Sequence, residues 1–277
     1  TRTITGVRGR SPRNLETRIK DMAISNVSAG TIIDPVWGNS VADTINAIEP
    51  ASGALRYQQT LYYTSSGAFV KASYPWLAAV QVEVQGAGGG GGGAETCTAG
   101  NASGGAGGGS GAWGTRLIPV ASLSASETIT IGAGGSAGSG PSTDGGSGGA
   151  TTAFGITAGG GAGGVTPGAT SATYCNALPG IASSTVTGSF DFERRGENGK
   201  PPVMPFNRNL GGAGGSSPIG GGGTGANAVT STGSNGGGGI HGSGGGGGCN
   251  RAGTAVNRDG GIGGPGAVIV RLYSGVI

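Results

Sequence analysis

Charge and aromatic side chains are scarce in this sequence: 10% of its 277 residues are Asp, Glu, Lys or Arg and 5% are Phe, Trp or Tyr. The three cysteines, Cys97, Cys175 and Cys249, stand at irregular spacing, which makes no CxxC unit and no disulfide framework. The single histidine, His241, lies in GGIHGSGG with no acidic neighbour, and His241 with Cys249 supplies two candidate metal ligands where a site needs more. No apolar run approaches the ~20 residues of a membrane span, and no secretory leader is recognisable. The sequons at Asn26 and Asn101 therefore carry little meaning. Gly-x-Gly-x-x-Gly patterns recur because glycine is so abundant, and they carry no dinucleotide signal. GENGKPP at 196–202 lacks the spacing and the Ser/Thr of a phosphate-binding loop. Asp191, Glu193 and Glu197 sit beside Arg194 and Arg195 and read as a solvated, self-neutralising group rather than a glycosidase pair. No enzyme activity, metal or cofactor is expected.

What the chain has instead is glycine: 68 residues, of which 60 fall between 86 and 265. Collagen is excluded, because the three-residue period is broken in runs such as Gly88–Gly93 and proline is sparse. A disordered linker is disfavoured by the small net charge of +3 and by the apolar segments that interrupt the glycine. VQVEVQ at 80–85 alternates Val80, Val82 and Val84 with polar residues, the pattern of a half-buried strand. GAVIVRLY at 266–273 aligns Val268, Val270 and Leu272 in the same way. These two strands bracket the glycine region and are expected to pair, closing it as one domain. TRLIPVASLSASETITIGAGG adds two short strands with Ile129 and Ile131 inward.

Two arrangements of the glycine stay open at this level. Polyproline-II geometry has three residues per turn and no internal hydrogen bonds, so side-by-side glycine helices could bond one another where no Cβ intervenes. Alternatively, the glycines occupy positive-φ turns and bulges of an ordinary β-sandwich. Both yield a rigid frame with loops displayed at its ends.

Residues 1–76 differ in composition. PRNLETRIKDMAISNV places Leu15, Ile19 and Met22 on one helical face. DPVWGNSVADTINAIEP begins with a capping Asp34 and Pro35, carries Trp37, Val41, Ile45 and Ile48 at helical spacing, and stops at Pro50. Two short amphipathic helices cannot bury their stripes alone, so these seven residues are candidates for oligomerisation. Six basic residues among the first twenty suit docking to an acidic protein surface; without interleaved aromatics, nucleic acid is not expected as a partner.

The ordered set VQVEVQGAGGGGGG, SETITIGAGGSAG, DGGSGGATTAFGITAGGGAGG and GGIGGPGAVIVRLY resembles the glycine-rich C-terminal domain of bacteriophage tail fibres. YYTSSGAFVKASYPWLAAVQVEVQGAGGGG matches the entry to that domain, and GTIIDPVWGNSVADTIN resembles the virion-proximal junction of such fibres. The resemblance covers most of residues 30–277, with 165–209 the least alike. It implies a mainly β, trimeric fibre: residues 1–76, with short helices, for virion attachment and oligomerisation, and 77–277 as a glycine-rich, β-sandwich-like tip with polyglycine-II helices. The implied partners are tail or baseplate proteins and a bacterial surface polysaccharide or protein, with the fibre assembled in the host cytoplasm. A structural decoration protein, such as a collar or head fibre, is the alternative. Within the loop-rich stretch 165–209, Tyr174, Phe190, Phe192, Arg194, Arg195 and Phe206 are the receptor-binding candidates, because aromatics and arginine concentrate binding energy. Trp113 and His241 are secondary candidates, for which packing is favoured over contact.

Overall fold

The computed structural model describes residues 55–275, apart from 142, 169, 172–176, 184, 204–207, 230–231 and 252. The expected N-terminal helices, and with them Leu15, Ile19, Met22, Trp37, Val41, Ile45 and Ile48, lie outside the described residues.

Apolar–polar alternation builds the first sheet. Strand β3 (Leu77–Gln85) pairs antiparallel with β16 (Ala267–Ser274), setting Val84 opposite Val268, Val82 opposite Val270 and Val80 opposite Leu272. The two bracketing strands therefore close the domain, as their patterns suggested. With β1 (Arg56–Tyr63), β5 (Trp113–Pro119) and β11 (Phe192–Arg194) they form a sheet of order β1-β16-β3-β5-β11. The second sheet, also antiparallel, joins β2 (Gly67–Val70), β6 (Ser126–Thr130), β7 (Thr151–Ala153), β8 (Ile156–Ala158) and β10 (Val186–Gly188) in the order β10-β8-β7-β6-β2. Both β1 and β2 precede residue 77 yet pair with strands of the domain, and Ser52–Ile277 forms one compact unit.

One core lies between the sheets. Val80, Val82, Val84, Val268, Val270 and Leu272 from the first meet Phe69, Ile129 and Ile156 from the second, each at most 1% exposed. Each such side chain contributes about 1.5–3 kcal/mol by leaving water. Phe154 (φ 51°) and Gly155 (φ 74°) make the two-residue turn between β7 and β8, a left-handed pair whose twist suits a hairpin. Phe154 tolerates its backbone because its ring packs into the core, 5.5 Å from that of Phe69.

At Gln85 the chain leaves the sheet and continues as a buried strut, residues 86–94. Its hydrogen bonds repeat every three residues. Gly86, Gly89 and Gly92 donate to Ala112, Gly109 and Ala106; Ala87 and Gly90 donate to Gly149 and Gly146; Gly88, Gly91 and Ala94 donate to Gly264, Gly261 and Arg258. The carbonyls follow the same rule, accepting from Gly161 and Gly164, from Gly135 and Gly138, and from Gly245 and Gly248. The strut is thus flanked by six others, three antiparallel that it donates to and three parallel that donate to it.

Struts 104–112 and 242–248 also have six neighbours each, four antiparallel and two parallel, and these three inner struts bond one another. Nine outer struts enclose them: 132–138, 145–149, 159–165, 178–183, 197–200, 211–215, 223–226, 236–239 and 258–264, each bonded to the next until Gly260 and Gly263 close the ring on Gly138 and Gly135. Three rods inside nine is hexagonal close packing. The glycines are there for distance rather than for backbone freedom, since only Gly100, Gly140, Gly155, Gly188, Gly242, Gly253 and Gly275 have positive φ among the described residues. The expectation of widespread positive-φ turns is therefore replaced by close approach. A Cβ at Gly90 would overlap the Ser136 carbonyl oxygen and stand 2.6 Å from its carbonyl carbon.

The outer struts do keep a local three-residue period. In DGGSGGA the exposed positions are Asp144, Ser147 and Ala150; in DGGIGGP they are Asp259, Ile262 and Pro265. There one residue in three faces solvent and can carry a large side chain, whereas the inner struts are buried throughout and hold only Gly, Ala and Ser. A net hydrogen bond of about 1 kcal/mol per residue barely matches a backbone ordering cost of about 1–2 kcal/mol. The array therefore depends on the sandwich core that anchors both of its terminal strands.

Candidate functional site

The bond pattern fixes the direction of every strut. Struts 86–94, 132–138, 159–165, 197–200, 223–226 and 242–248 run away from the sandwich; 104–112, 145–149, 178–183, 211–215, 236–239 and 258–264 return. The chain makes this excursion six times, so the described residues of six connections gather at the far end: those within 95–103, 139–144, 166–177, 201–210, 227–235 and 249–257. We call this the distal end. The near, proximal end is the sandwich, where β1 enters.

The distal connections are tied together. Strands β4 (Asn101–Gly104), β9 (Thr170–Ser171), β14 (Gly233–Ser234) and β15 (Cys249–Arg251) form one sheet, and β12 (Arg208–Leu210) pairs with β13 (Asn227–Val229). Two fully buried asparagines stitch across them. Asn209 Nδ2 donates to the carbonyls of Ser103 (2.7 Å) and Asn250 (2.8 Å), and Asn250 Nδ2 donates to those of Glu95 and Val256, both at 2.8 Å. Val203, Val229 and Val256 are exposed at this end. Buried Cys249 accompanies them, its thiol pushed above the ordinary range by burial and held against the Asn209 carbonyl.

The proximal end is closed differently. Gln85, fully buried, donates from Nε2 to the carbonyls of Gly86, Gly111 and Ala112 at 3.0–3.2 Å, capping two strut bases. Gly242 (φ 78°) packs on that side chain, and a Cβ there would lie 2.5 Å from Gln85 Cγ. His241 begins inner strut 242–248 and Cys249 follows its distal end, so the length of the strut separates these two candidate ligands. Among the described residues no group of three His, Cys, Asp or Glu side chains is placed to hold a metal ion.

The receptor-binding candidates divide. Tyr174 and Phe206 lie outside the described residues. Phe190, Phe192, Arg194 and Arg195 are brought together at the proximal end, where β11 forms the edge of the first sheet with Phe192 opposite Thr115 and Arg194 opposite Trp113. The Phe192 ring meets that of Trp113 edge-on at 6.2 Å and is 60% exposed. Phe190 is half-buried, and Arg195 reaches Asn198 Oδ1 at 3.4 Å. The neighbouring carboxylate of Asp191 accepts from the Leu117 amide at 2.7 Å, fastening the edge strand. Residues 165–209 thus supply β10, β11 and two struts, 178–183 and 197–200, as well as connections.

Sequence reasoning missed the distal group of connections and those two glycine-poor struts. The signal was the spacing of small residues: buried Ala177 and Gly180, and buried Gly199 and Pro202, lie three apart. The distal connections are legible in retrospect as six glycine-poor interruptions, ETCTAGNAS being the first and CNRAGTAVN the last.

A short antiparallel sandwich continued by a hydrogen-bonded glycine array defines a glycine-rich β domain. A family model described as a glycine-rich domain matches residues 64–273, and the chain belongs to that family. No curated protein matches the chain.

Proposed function

We propose that this protein is a bacteriophage tail fibre or receptor-binding protein that binds the bacterial cell surface, a polysaccharide or a protein, without catalysis. The observation that carries the reading is the gathering of six connections at one end of a rigid strut array, opposite the strand through which the chain enters. A stiff scaffold that displays loops of varied sequence is the usual arrangement for recognition, and the resemblance of the ordered glycine segments to tail-fibre tips supports it. In this reading the struts are polyglycine-II helices, because a three-residue bonding period is what three residues per turn present to neighbours. Residues 1–76 attach the fibre to tail or baseplate proteins and hold it as a homotrimer in the virion, after assembly in the host cytoplasm. The distal end meets the cell, and Phe190, Phe192, Arg194 and Arg195 form a second patch at the proximal end.

The test is adsorption of the purified full chain to a panel of bacterial strains. Replacing Val203, Val229 and Val256 by Asp is expected to abolish adsorption without lowering the melting temperature, and the triple alanine variant of Phe190, Phe192 and Arg195 separates the two patches. Loss of adsorption only in the alanine variant would move the site to the proximal edge. If the wild type adsorbs to no strain while virions still assemble around it, the protein is a decoration protein. Light scattering at micromolar concentration tests the trimer, and a stable monomer would refute it.

A further inference from the structure

We infer that the cavity between the first and last distal connections binds one neutral sugar residue, an inference that rests on the reading of the distal end as the cell-facing surface. The cavity holds about 310 Å³ and is lined by Thr96, Cys97, Thr98, Gly253, Thr254 and Ala255. That volume lies at the small end of ligand sites, room for a single ring rather than an extended chain.

Its walls are preformed. The Cys97 amide donates to the Thr254 carbonyl at 3.0 Å and the Thr96 amide to Asn257 Oδ1 at 3.0 Å. Below them Ala94 and Arg258 exchange backbone hydrogen bonds at 2.7 and 2.9 Å, and buried Asn250 ties Glu95 to Val256. Both walls therefore continue inner or adjoining struts of the array, and little ordering cost is left for a ligand to meet.

The lining selects the ligand class by what it offers. Among the described residues no Arg or Lys lines the cavity to grip a phosphate or carboxylate, and no acid lines it to hold a cation. Among the described residues that line it no aromatic or large aliphatic side chain is present to anchor a protein partner. Hydroxyls are, in complementary states. Thr98 Oγ1 accepts from Asn101 Nδ2 at 3.1 Å and keeps its own hydrogen to donate. Thr254 Oγ1 donates to the Arg251 carbonyl and keeps lone-pair capacity to accept. A sugar, whose adjacent hydroxyls both donate and accept, matches this pair. A cavity for a single ring binds one sugar weakly, and a homotrimer would multiply the affinity by presenting three cavities to a repeating surface.

The experiment is saturation-transfer NMR on the full chain with methyl α-glucoside, methyl α-galactoside, methyl α-mannoside, L-rhamnose and N-acetylglucosamine as probes. Inorganic phosphate, followed by phosphorus line broadening, and N-acetylneuraminic acid serve as charged controls. At least one neutral sugar is expected to receive saturation, Ala255→Trp to remove it by about tenfold or more, and Thr98→Val to weaken it. Both positions are exposed, and unchanged melting of either variant shows that the fold is retained. No transfer to any neutral sugar, transfer that survives Ala255→Trp, or equal binding of the charged probes would overturn the inference. Cell adsorption is measured in parallel. A wild type that binds a sugar but no cells defeats the cell-surface reading and leaves the cavity standing. Adsorption that persists in Ala255→Trp defeats the cavity as a cell-surface site and leaves the reading standing.

Discussion

Replacing Gly90 with alanine adds one methyl group to the middle of an inner strut. The residue is buried, donates to Gly146 at 2.8 Å and accepts from Gly164 at 2.9 Å. Its new Cβ would overlap the carbonyl of Ser136, at 2.6 Å from the carbonyl carbon where ordinary contacts begin near 3.4 Å. Strut 132–138 must therefore retreat by most of an ångström, and its bonds from Gly135 to Gly88, from Gly138 to Gly91 and from Gly146 to Ser136 lengthen together. At about 1 kcal/mol for each net bond lost, with about 1–3 kcal/mol for any group left buried and unpaired, the expected cost is about 3–6 kcal/mol. Alanine's smaller unfolded-state entropy returns only about 0.4–1 kcal/mol. The balance is a large share of a typical stability of about 5–15 kcal/mol. Thermal unfolding followed by tryptophan fluorescence should fall by roughly 10 °C or more. Gly221 is the control: it is exposed, its φ is not positive and nothing lies within 4 Å of the added Cβ, so Gly221→Ala is expected to be neutral or slightly stabilising. If the two variants melt together with the wild type, close packing is not why the struts are glycine.

Three further outcomes follow from the same geometry. Ile156→Ala, at a fully buried site of the sandwich core, is expected to cost about 2–5 kcal/mol in a urea titration. Asn209→Leu leaves the carbonyls of Ser103 and Asn250 without their donor, so hydrogen exchange should accelerate across the distal connections while β3 and β16 stay protected. Cys249 should resist alkylation in the folded protein and react once unfolded, as read by peptide mapping. Burial raises its folded-state pKa, so the neutral thiol's contribution is complete below the ordinary thiol range and fades as pH rises through the folded value.

The two bracketing strands were readable because alternation of Val80, Val82 and Val84, and of Val268, Val270 and Leu272, reports one buried face directly. Ile129 followed the same rule and lies in the core, with Ile131 packed at its edge. Gln85 did not: alternation placed it with polar Gln81 and Glu83, yet it is buried under Gly242 and spends its amide on strut carbonyls. The Phe190–Arg195 stretch read as a loop because three residues are too short for periodicity, and it becomes a strand only where β5 offers an open edge.

Composition alone determined that the glycine would serve either close backbone approach or positive-φ turns, because so much of the region lacks a Cβ, and the structure decided for close approach. Local pattern also determined which strands open and close the domain. Which glycine segment lies inside and which outside was decided by tertiary structure. Each inner strut bonds to six others, and of those beside Gly86–Ala94 only 104–112 is its neighbour in sequence. The position of the candidate surface was decided there as well. Strut direction is a property of pairs of segments, and only the full set of pairs brings six separated stretches of sequence to one end.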